Sequence, residues 1–256
     1  MKIMKVKFNP KTLAQNPALS YDSYAQKVIK AIKREAVVDK SSFFAELKEL
    51  GDSFVRQDAK EQMNKKSKWF AETLVALKSN DLAGIVYSYL VKLNYGSPKL
   101  REEFATRALA IAKRTNDPIH IMARANDLKE VYKITAHGTE KHLRVLYQEK
   151  RALNDIISNY DSYKSNKSRS ITREMRPIDG YLQKLAAIKI EIAEMLLKKN
   201  PELAQKELIE AKNIYSKFGE GKNTQKIKEY IANQLKEDQL NGQLTMEEVD
   251  PFTGSK

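Results

Sequence analysis

Apolar residues in this chain recur at the three- and four-residue steps that mark one face of a helix. In residues 201–218 these positions are Ala204, Leu208, Ala211, Tyr215 and Phe218. Charged residues fall between them, so the pattern predicts an amphipathic helix. Similar patterns predict helices along most of the chain. They cover about residues 21–37, 40–63, 67–78, 81–95, 98–115, 118–136, 140–160, 178–199, 201–218 and 224–239.

The helix boundaries carry recognisable start and stop signals. Three predicted helices begin with a capping-type residue followed by proline, whose missing N–H costs nothing at the first helical position. These pairs are Ser97-Pro98, Asp117-Pro118 and Asn200-Pro201, and Thr139 is predicted to cap a further helix. The glycines placed to end a helix with left-handed backbone are Gly96, Gly138 and Gly219. Because the connections are short, consecutive helices should pack as antiparallel hairpins.

Tandem hairpins suggest a repeat protein, because one hairpin alone cannot bury its apolar face. NDLKEVY at 126–132 places Leu128 and Tyr132 four residues apart on a first helix, and Gly138 precedes the second-helix segment HLRVLYQEKRALNDI. This segment, residues 126–156, resembles a tetratricopeptide repeat. Further copies are suggested by LAGIVY at 82–87 with FATRALAIAKRTNDP, and by AQKELIEAKNIY. The spacing from Tyr87 to Tyr132 is 45 residues, whereas the family repeats at about 34.

The resemblance covers roughly residues 80–220 and implies an all-α fold in which TPR-like antiparallel hairpins stack as an α-solenoid. An irregular multi-helix bundle is the alternative architecture. In such a solenoid the first helices line a concave face that holds a segment of a partner protein, which implies a non-enzymatic adaptor or scaffold. The residues expected on that face are Asp81, Ile85, Ser88, Asn126, Glu130 and Lys133.

Changes in composition along the chain predict five segments. Polar and basic residues fill 161–177, and helical periodicity is lost after residue 239. Val6 and Phe8 alternate with Lys7, which leaves a short strand or an extended arm as alternatives near the N-terminus. The segments are an extended arm (1–20), a helical domain with the hairpins (21–160), a basic polar loop (161–177), C-terminal helical hairpins (178–238) and a flexible tail (239–256).

Candidate catalytic and metal-binding residues are few. His120 lies between Ile119 and Ile121 in a predicted helix, so we interpret it as a partly buried polar residue rather than a catalyst. His137 and His142 are five residues apart across a turn, whereas two histidines that bind one metal from a single helix are three or four apart. The absence of cysteine excludes disulfides, thiolate nucleophiles and thiolate metal sites. We therefore expect no catalytic residue, no resident metal and no cofactor.

A formal net charge of +13 favours an anionic partner. Two basic segments, 60–70 and 164–176, combine cations with nearby aromatic residues, which suits phosphate neutralisation and base stacking. The alternative function is therefore nucleic-acid binding, to RNA above all, or binding of an acidic surface. Against it, Trp69 and Phe70 fit a buried stripe whose lysines only solvate the helix. The cations concerned are Lys65, Lys66, Lys68, Lys164, Lys167, Arg169, Arg173 and Arg176.

Membrane insertion is not expected. The longest apolar run, residues 82–93, contains Ser88 and Lys92 and is shorter than the roughly 20 residues that a bilayer crossing needs. The basic first residues also lack the apolar segment of a secretory signal. We expect a cytoplasmic protein that binds a protein partner.

Overall fold

A computed structural model of the 256-residue chain describes residues 3–165 and 177–218. Nearly all regular structure in these ranges is helical, which confirms the predicted all-α fold. The helices are α1 (Pro10–Gln15), α2 (Pro17–Lys33), α3 (Lys40–Arg56), α4 (Lys60–Ala76), α5 (Asn80–Leu93), α6 (Pro98–Thr115), α7 (Pro118–Thr135), α8 (Glu140–Ser158), α9 (Tyr160–Ser165), α10 (Ile178–Leu196) and α11 (Pro201–Ser216), and the strands are β1 (Ile3–Met4) and β2 (Val37–Val38).

The chain divides into two compact units. Unit 1 comprises Met1–Ile178 and unit 2 comprises Asp179–Lys256. The predicted helix over 224–239 and the tail over 239–256 lie outside the described residues, as does most of the predicted basic loop. In the ranges that are described, no helix is both long enough and apolar enough to cross a membrane.

The N-terminal residues belong to the fold of unit 1. β1 pairs in parallel with β2. The helices α1 and α2 lie between the two strands in sequence. The extended arm predicted over 1–20 is therefore wrong from residue 10 onward. Asn16 caps α2 by accepting a hydrogen bond from the Leu19 amide at 3.0 Å, a cap-plus-proline start that the sequence reasoning overlooked. The buried apolar residues of this segment are Val6, Phe8 and Leu13.

Most of the predicted helix caps are confirmed. Asp117 and Asn200 each accept a hydrogen bond from a first-turn amide at 3.0 Å. Thr139 accepts one from the His142 amide at 3.4 Å. Ser97 makes no capping hydrogen bond with its side chain, although α6 begins directly after it.

The helices end mostly at residues other than glycine. Gly138 is left-handed as predicted, with a φ of 74°, whereas Gly96 is not. The single helix predicted over 40–63 is wrong, because Asp58 has a φ of 54° and separates α3 from α4. Aspartate and asparagine reach the left-handed region more readily than most residues, so a chain break does not require glycine. Among the described residues, the non-glycine residues with left-handed backbone are Glu35, Asp58, Lys78 and Asn116.

Alternate helices of unit 1 lie side by side and run parallel. Lys40, at the start of α3, contacts Asp81, at the start of α5, with 2.5 Å between Nζ and Oδ2. Further along the same helices, the Tyr89 hydroxyl donates to the Lys48 carbonyl oxygen at 3.4 Å. Both pairs are 41 residues apart in sequence. A constant offset along two helices requires that they run in the same direction.

α5 and α7 are related in the same way. Asp81 Oδ1 lies 3.5 Å from His120 Nδ1 at the start of the two helices. Two turns later the Ser88 hydroxyl donates to Asp127 Oδ2 at 2.9 Å, again at an offset of 39 residues. α3, α5 and α7 therefore form one layer of parallel helices.

α4 and α6 form a second layer behind the first. Lys68 Nζ donates to Glu103 Oε1 at 3.0 Å, and Arg107 Nη1 donates to Glu72 Oε1 at 3.3 Å, each at an offset of 35 residues. The two layers pack on each other, since α5 of the first layer contacts α4 and α6 of the second, and α7 contacts α6 and also α8. Unit 1 is thus built from helices stacked on their neighbours in sequence, as expected for helical hairpins.

A close contact between α3 and α5 depends on glycine. A Cβ added to Gly51 would lie 1.9 Å from the hydroxyl oxygen of Tyr89, so no larger residue fits unless the ring moves. A Cβ added to Gly84 would meet no heavy atom within 4 Å. The small residue in LAGIVY is therefore not required by packing.

The described part of unit 2 consists of α10 and α11. Lys189 of α10 is buried, with its Nζ 3.0 Å from Glu207 Oε2 of α11 and in contact with Glu210. Burial lowers the pKa of Lys189, but its hydrogen bonds to Glu210 and Glu207 outweigh that effect and hold the pKa above its ordinary value. The apolar face predicted for α11 is buried at Ala204, Leu208 and Ala211.

Candidate functional site

Three helices of the first layer meet around Asp81. Its carboxylate contacts Lys40 of α3 and His120 of α7, and the three side chains remain 37%, 28% and 33% exposed, respectively. The pKa of Asp81 lies well below its usual range because it accepts hydrogen bonds from His120 and Lys40, which together outweigh the effect of burial. His120 is thus a half-buried polar partner of a carboxylate, in agreement with the sequence interpretation.

Stability in acid should depend on Asp81. Because folding lowers its pKa, its contribution is present above about pH 4, the ordinary aspartate pKa, and is lost as the pH falls below that value. We expect Asp81→Asn to reduce the slope of unfolding free energy against pH between about pH 4 and pH 2, measured by urea unfolding at stepped pH. The exposed Asp52→Asn on α3 serves as the control. Identical slopes for wild type and Asp81→Asn would contradict this role.

Two of the predicted partner-facing residues on α5 are not on an open surface. Ser88 is buried, and its hydroxyl donates to Asp127 of α7. Arg124 donates to the same carboxylate oxygen at 2.8 Å, so Ser88 helps to position this pair between the helices. Ile85 is half-buried and packs against the core. At Ser88 the side of α5 that periodicity predicted to face a partner is therefore in contact with α7.

The predicted residues on α7 lie at or near the surface. Glu130 and Lys133 are exposed and form an ion pair of 3.2 Å, and Asn126 is half-buried one turn before them. Ile119 and Met122 continue the same side of the helix toward its start, and both are half-buried. We call this side the α7 strip. It comprises Ile119, Met122, Asn126, Glu130 and Lys133.

Sequence reasoning missed the apolar half of the α7 strip. The sequence interpretation used Ile119 only as a neighbour of His120 and assigned no role to Met122. The available signal was that α7 carries apolar residues on more than one side, since Leu128 and Tyr132 are buried at 3% and 6% exposure. A helix with one buried face and a second, half-exposed apolar side has room for a further contact.

The other two histidines do not form a metal site with a third ligand. The rings of His137 and His142 lie 5.7 Å apart, and His142 is buried. Within the described ranges, no group of three or more histidine, cysteine, aspartate or glutamate residues is arranged to hold a metal ion.

The predicted basic segment 60–70 is largely neutralised by carboxylates. Lys65 lies 3.2 Å from Glu61, Lys66 lies 2.6 Å from Asp22, and Lys68 lies 3.0 Å from Glu103. Lys65 and Lys68 line an open groove of about 690 Å³ between α4 and the start of α6, but Glu61 and Glu103 line it as well. The groove therefore carries no excess of positive charge from these pairs.

The aromatic residues of this segment differ in burial. Phe70 is fully buried, as the buried-stripe interpretation expected, but Trp69 is 45% exposed and does not belong to the stripe. In the second basic segment, Lys164 of α9 lies 5.9 Å above the ring of Tyr160. The remaining cations predicted there, Lys167, Arg169, Arg173 and Arg176, lie outside the described residues.

A basic surface on α2 was also missed by sequence reasoning. Lys27, Lys30, Lys33 and Arg34 are all exposed, and a shallow groove of about 440 Å³ runs along the first three. Their three- and four-residue spacing was legible in the sequence. The aromatic residues of α2, Tyr21 and Tyr24, are buried and do not accompany them.

Comparisons with known proteins leave the family open. No protein-family model and no curated protein matches the chain. A solved structure, the crystal structure of BtubC (BKLC) from P. vanneervenii, aligns with 81% of this chain and 93% of its own at 14% sequence identity, with a TM-score of 0.38. A TM-score this low supports no conclusion about function.

Proposed function

We propose that the chain is a non-enzymatic adaptor that holds a segment of a partner protein against α7. The observation that carries this proposal is the α7 strip, in which half-buried Ile119 and Met122 are followed along one helix side by Asn126, Glu130 and Lys133. Apolar anchors next to polar groups are the composition of a protein-binding surface. Apolar side chains of the partner would cover the first half of the strip, and the polar half would select its register.

We further propose that the hairpins are TPR-like, with units longer than the usual repeat. Leu128 and Tyr132 are buried at the positions of the motif, and Gly138 supplies the left-handed turn before α8, where Ala152 is buried. The departure is the offset between stacked helices, 39 to 41 residues in the first layer against about 34 in the family. The copy at 82–87 is the weaker one, because Gly84 has no tight neighbour.

The polar half of the strip provides the test. Replacing Asn126 and Lys133 with alanine removes an amide and a cation from exposed or half-buried positions, so the fold should change little, by about 0.5 kcal/mol per site or less. The captured partner should be retained at least about tenfold less well, because about 1.4 kcal/mol of lost contact corresponds to that factor. Affinity capture from native cell extract with quantitative mass spectrometry identifies the partner, and titration with the purified partner measures its Kd.

A matched control comes from α8. Arg144 is 73% exposed and pairs with Glu140, so Arg144→Ala removes one exposed cation from another helix. Capture should be repeated after nuclease treatment to remove partners bridged by nucleic acid. Equal retention of the partner by the α7 double variant and by wild type would refute the proposal. Loss of thermal stability in the double variant would show instead that this side belongs to the core.

A further inference from the structure

α2 presents a continuous cationic face. Lys27, Lys30 and Lys33 follow one another at three-residue steps on the exposed side of the helix, and Arg34 extends the row. Helical rise places the three lysines about 4.5 Å from one to the next along the axis. Ser23 and Gln26 line the same shallow groove and add hydrogen-bonding groups to it.

The segment after β1 runs beside this face and carries two further exposed cations. Lys27 Nζ donates to the Lys7 carbonyl oxygen at 3.2 Å, so the N-terminal segment runs beside α2. Lys5 and Lys7 are both exposed there. We call the six residues together the α2 basic face. They are Lys5, Lys7, Lys27, Lys30, Lys33 and Arg34.

Carboxylates of the described residues form no ion pair with this face. None of its six cations lies within 4.0 Å of a carboxylate of residues 3–165 or 177–218. The three lysines of 60–70 are each paired with an acid instead. Cations without a paired acid attract an anionic polymer. At about 0.1 M salt this attraction extends over a screening length of about 10 Å.

We infer that the α2 basic face binds the phosphate backbone of a double-stranded nucleic acid without reading its sequence. A duplex carries one negative charge per about 1.7 Å of its axis, so several cations of one helix can neutralise phosphates together. This site differs from both basic segments predicted from sequence, and it does not depend on the proposed adaptor function.

The chemistry of the face favours a duplex over other anions. A single strand is held by bases stacked on exposed aromatic rings, but Tyr21 and Tyr24 of α2 are buried on the other side of the helix. A protein partner needs an apolar or aromatic anchor at the centre of the contact, and Ile29 in the groove is buried. A membrane surface needs an apolar helix face, whereas Leu19 is the only large exposed apolar residue on α2 within the part that the structure describes.

The test uses the full chain and a fluorescently labelled duplex of mixed sequence, with RNA and DNA forms of the same sequence. Fluorescence anisotropy gives Kd between about 50 and 200 mM salt. The variant Lys27→Gln/Lys30→Gln/Lys33→Gln should bind both duplexes at least about tenfold more weakly. Its plot of log K against log salt should be less steep by about 3, since each lost phosphate contact removes about 0.9.

The control variant, Lys65→Gln/Lys66→Gln/Lys68→Gln, removes the same total charge from paired lysines and should bind nearly as wild type does. Far-UV circular dichroism establishes that both variants are folded. The inference is overturned if wild type binds neither duplex at about 50 mM salt, if the α2 variant binds like wild type, or if both variants lose affinity equally. The inference is also overturned if wild type binds a single strand more tightly than it binds either duplex. The same holds if it binds phosphatidylserine vesicles more tightly than either duplex.

Discussion

Phe70→Ala is expected to lower the free energy of unfolding by about 3 to 5 kcal/mol, the usual cost of removing a buried phenylalanine ring. Phe70 is fully buried in α4, with its ring centroid 6.1 Å from that of Tyr21 and 6.0 Å from that of Phe43. The ring therefore joins α2, α3 and α4. Its removal leaves a cavity that fully buried aromatic neighbours can fill only by leaving their own contacts.

The adjacent residue is the control. Trp69 is larger than Phe70 but 45% exposed, so Trp69→Ala should cost about 1 kcal/mol or less. Urea unfolding followed by far-UV circular dichroism measures both variants. Trp69 is also the single tryptophan of the chain, so fluorescence in Phe70→Ala reports on unit 1 specifically. Equal losses for the two variants would contradict the burial of Phe70 and the exposure of Trp69, and would mean that α4 is rotated about its axis.

Glu149→Ala is expected to cost about 3 to 5 kcal/mol, because it removes the buried counter-ion of a buried lysine. Glu149 of α8 is fully buried, and its Oε2 lies 3.3 Å from Nζ of Lys129 of α7, whose side chain is 6% exposed. The nearby Glu130 is 3.8 Å from the same ammonium but half exposed, so it replaces the lost partner only in part. Taking two charges out of water is tolerated only while they remain together.

Two further variants separate this effect from a general loss of charge. Glu140→Ala, on the same helix, breaks an exposed pair with Arg144 and should cost only about 0.3 to 0.5 kcal/mol. The double variant Lys129→Met/Glu149→Leu removes both buried charges and should recover most of the stability lost in Glu149→Ala. Urea unfolding measures the free energy of unfolding of Glu149→Ala, Glu140→Ala and the double variant. A double variant no more stable than Glu149→Ala would show that packing, rather than the charge, sets the cost.

The sequence predicted the helices best where their starts carry explicit signals. The segments 98–115 and 118–136 correspond to α6 and α7 within a residue, because each begins with proline after a capping-type residue. The sequence predicted helix ends poorly where the backbone becomes left-handed at a residue other than glycine. The break between α3 and α4 at Asp58 has neither glycine nor proline, and the sequence placed one helix across it.

For the candidate site, too, the sequence predicted some features and not others. Asn126, Glu130 and Lys133 share one side of α7, which three- and four-residue spacing is sufficient to establish. Ser88 was placed on the corresponding side of α5, but that side is covered by α7 through the contact with Asp127. Spacing identifies which residues share a helix face. It does not identify the residue that covers that face, because Asp127 lies 39 residues from Ser88 in sequence.

The sequence by itself determined that this chain is helical, where most of its helices begin, and that it carries a large positive charge. These properties depend on residues within one or two turns of each other or on composition alone. Only the tertiary structure decided which cations are neutralised. Lys66 meets Asp22 across 44 residues, whereas Lys27 and Lys30 meet no carboxylate of the described residues. Neutralisation requires two side chains within a few ångströms, and packing of whole helices sets that distance.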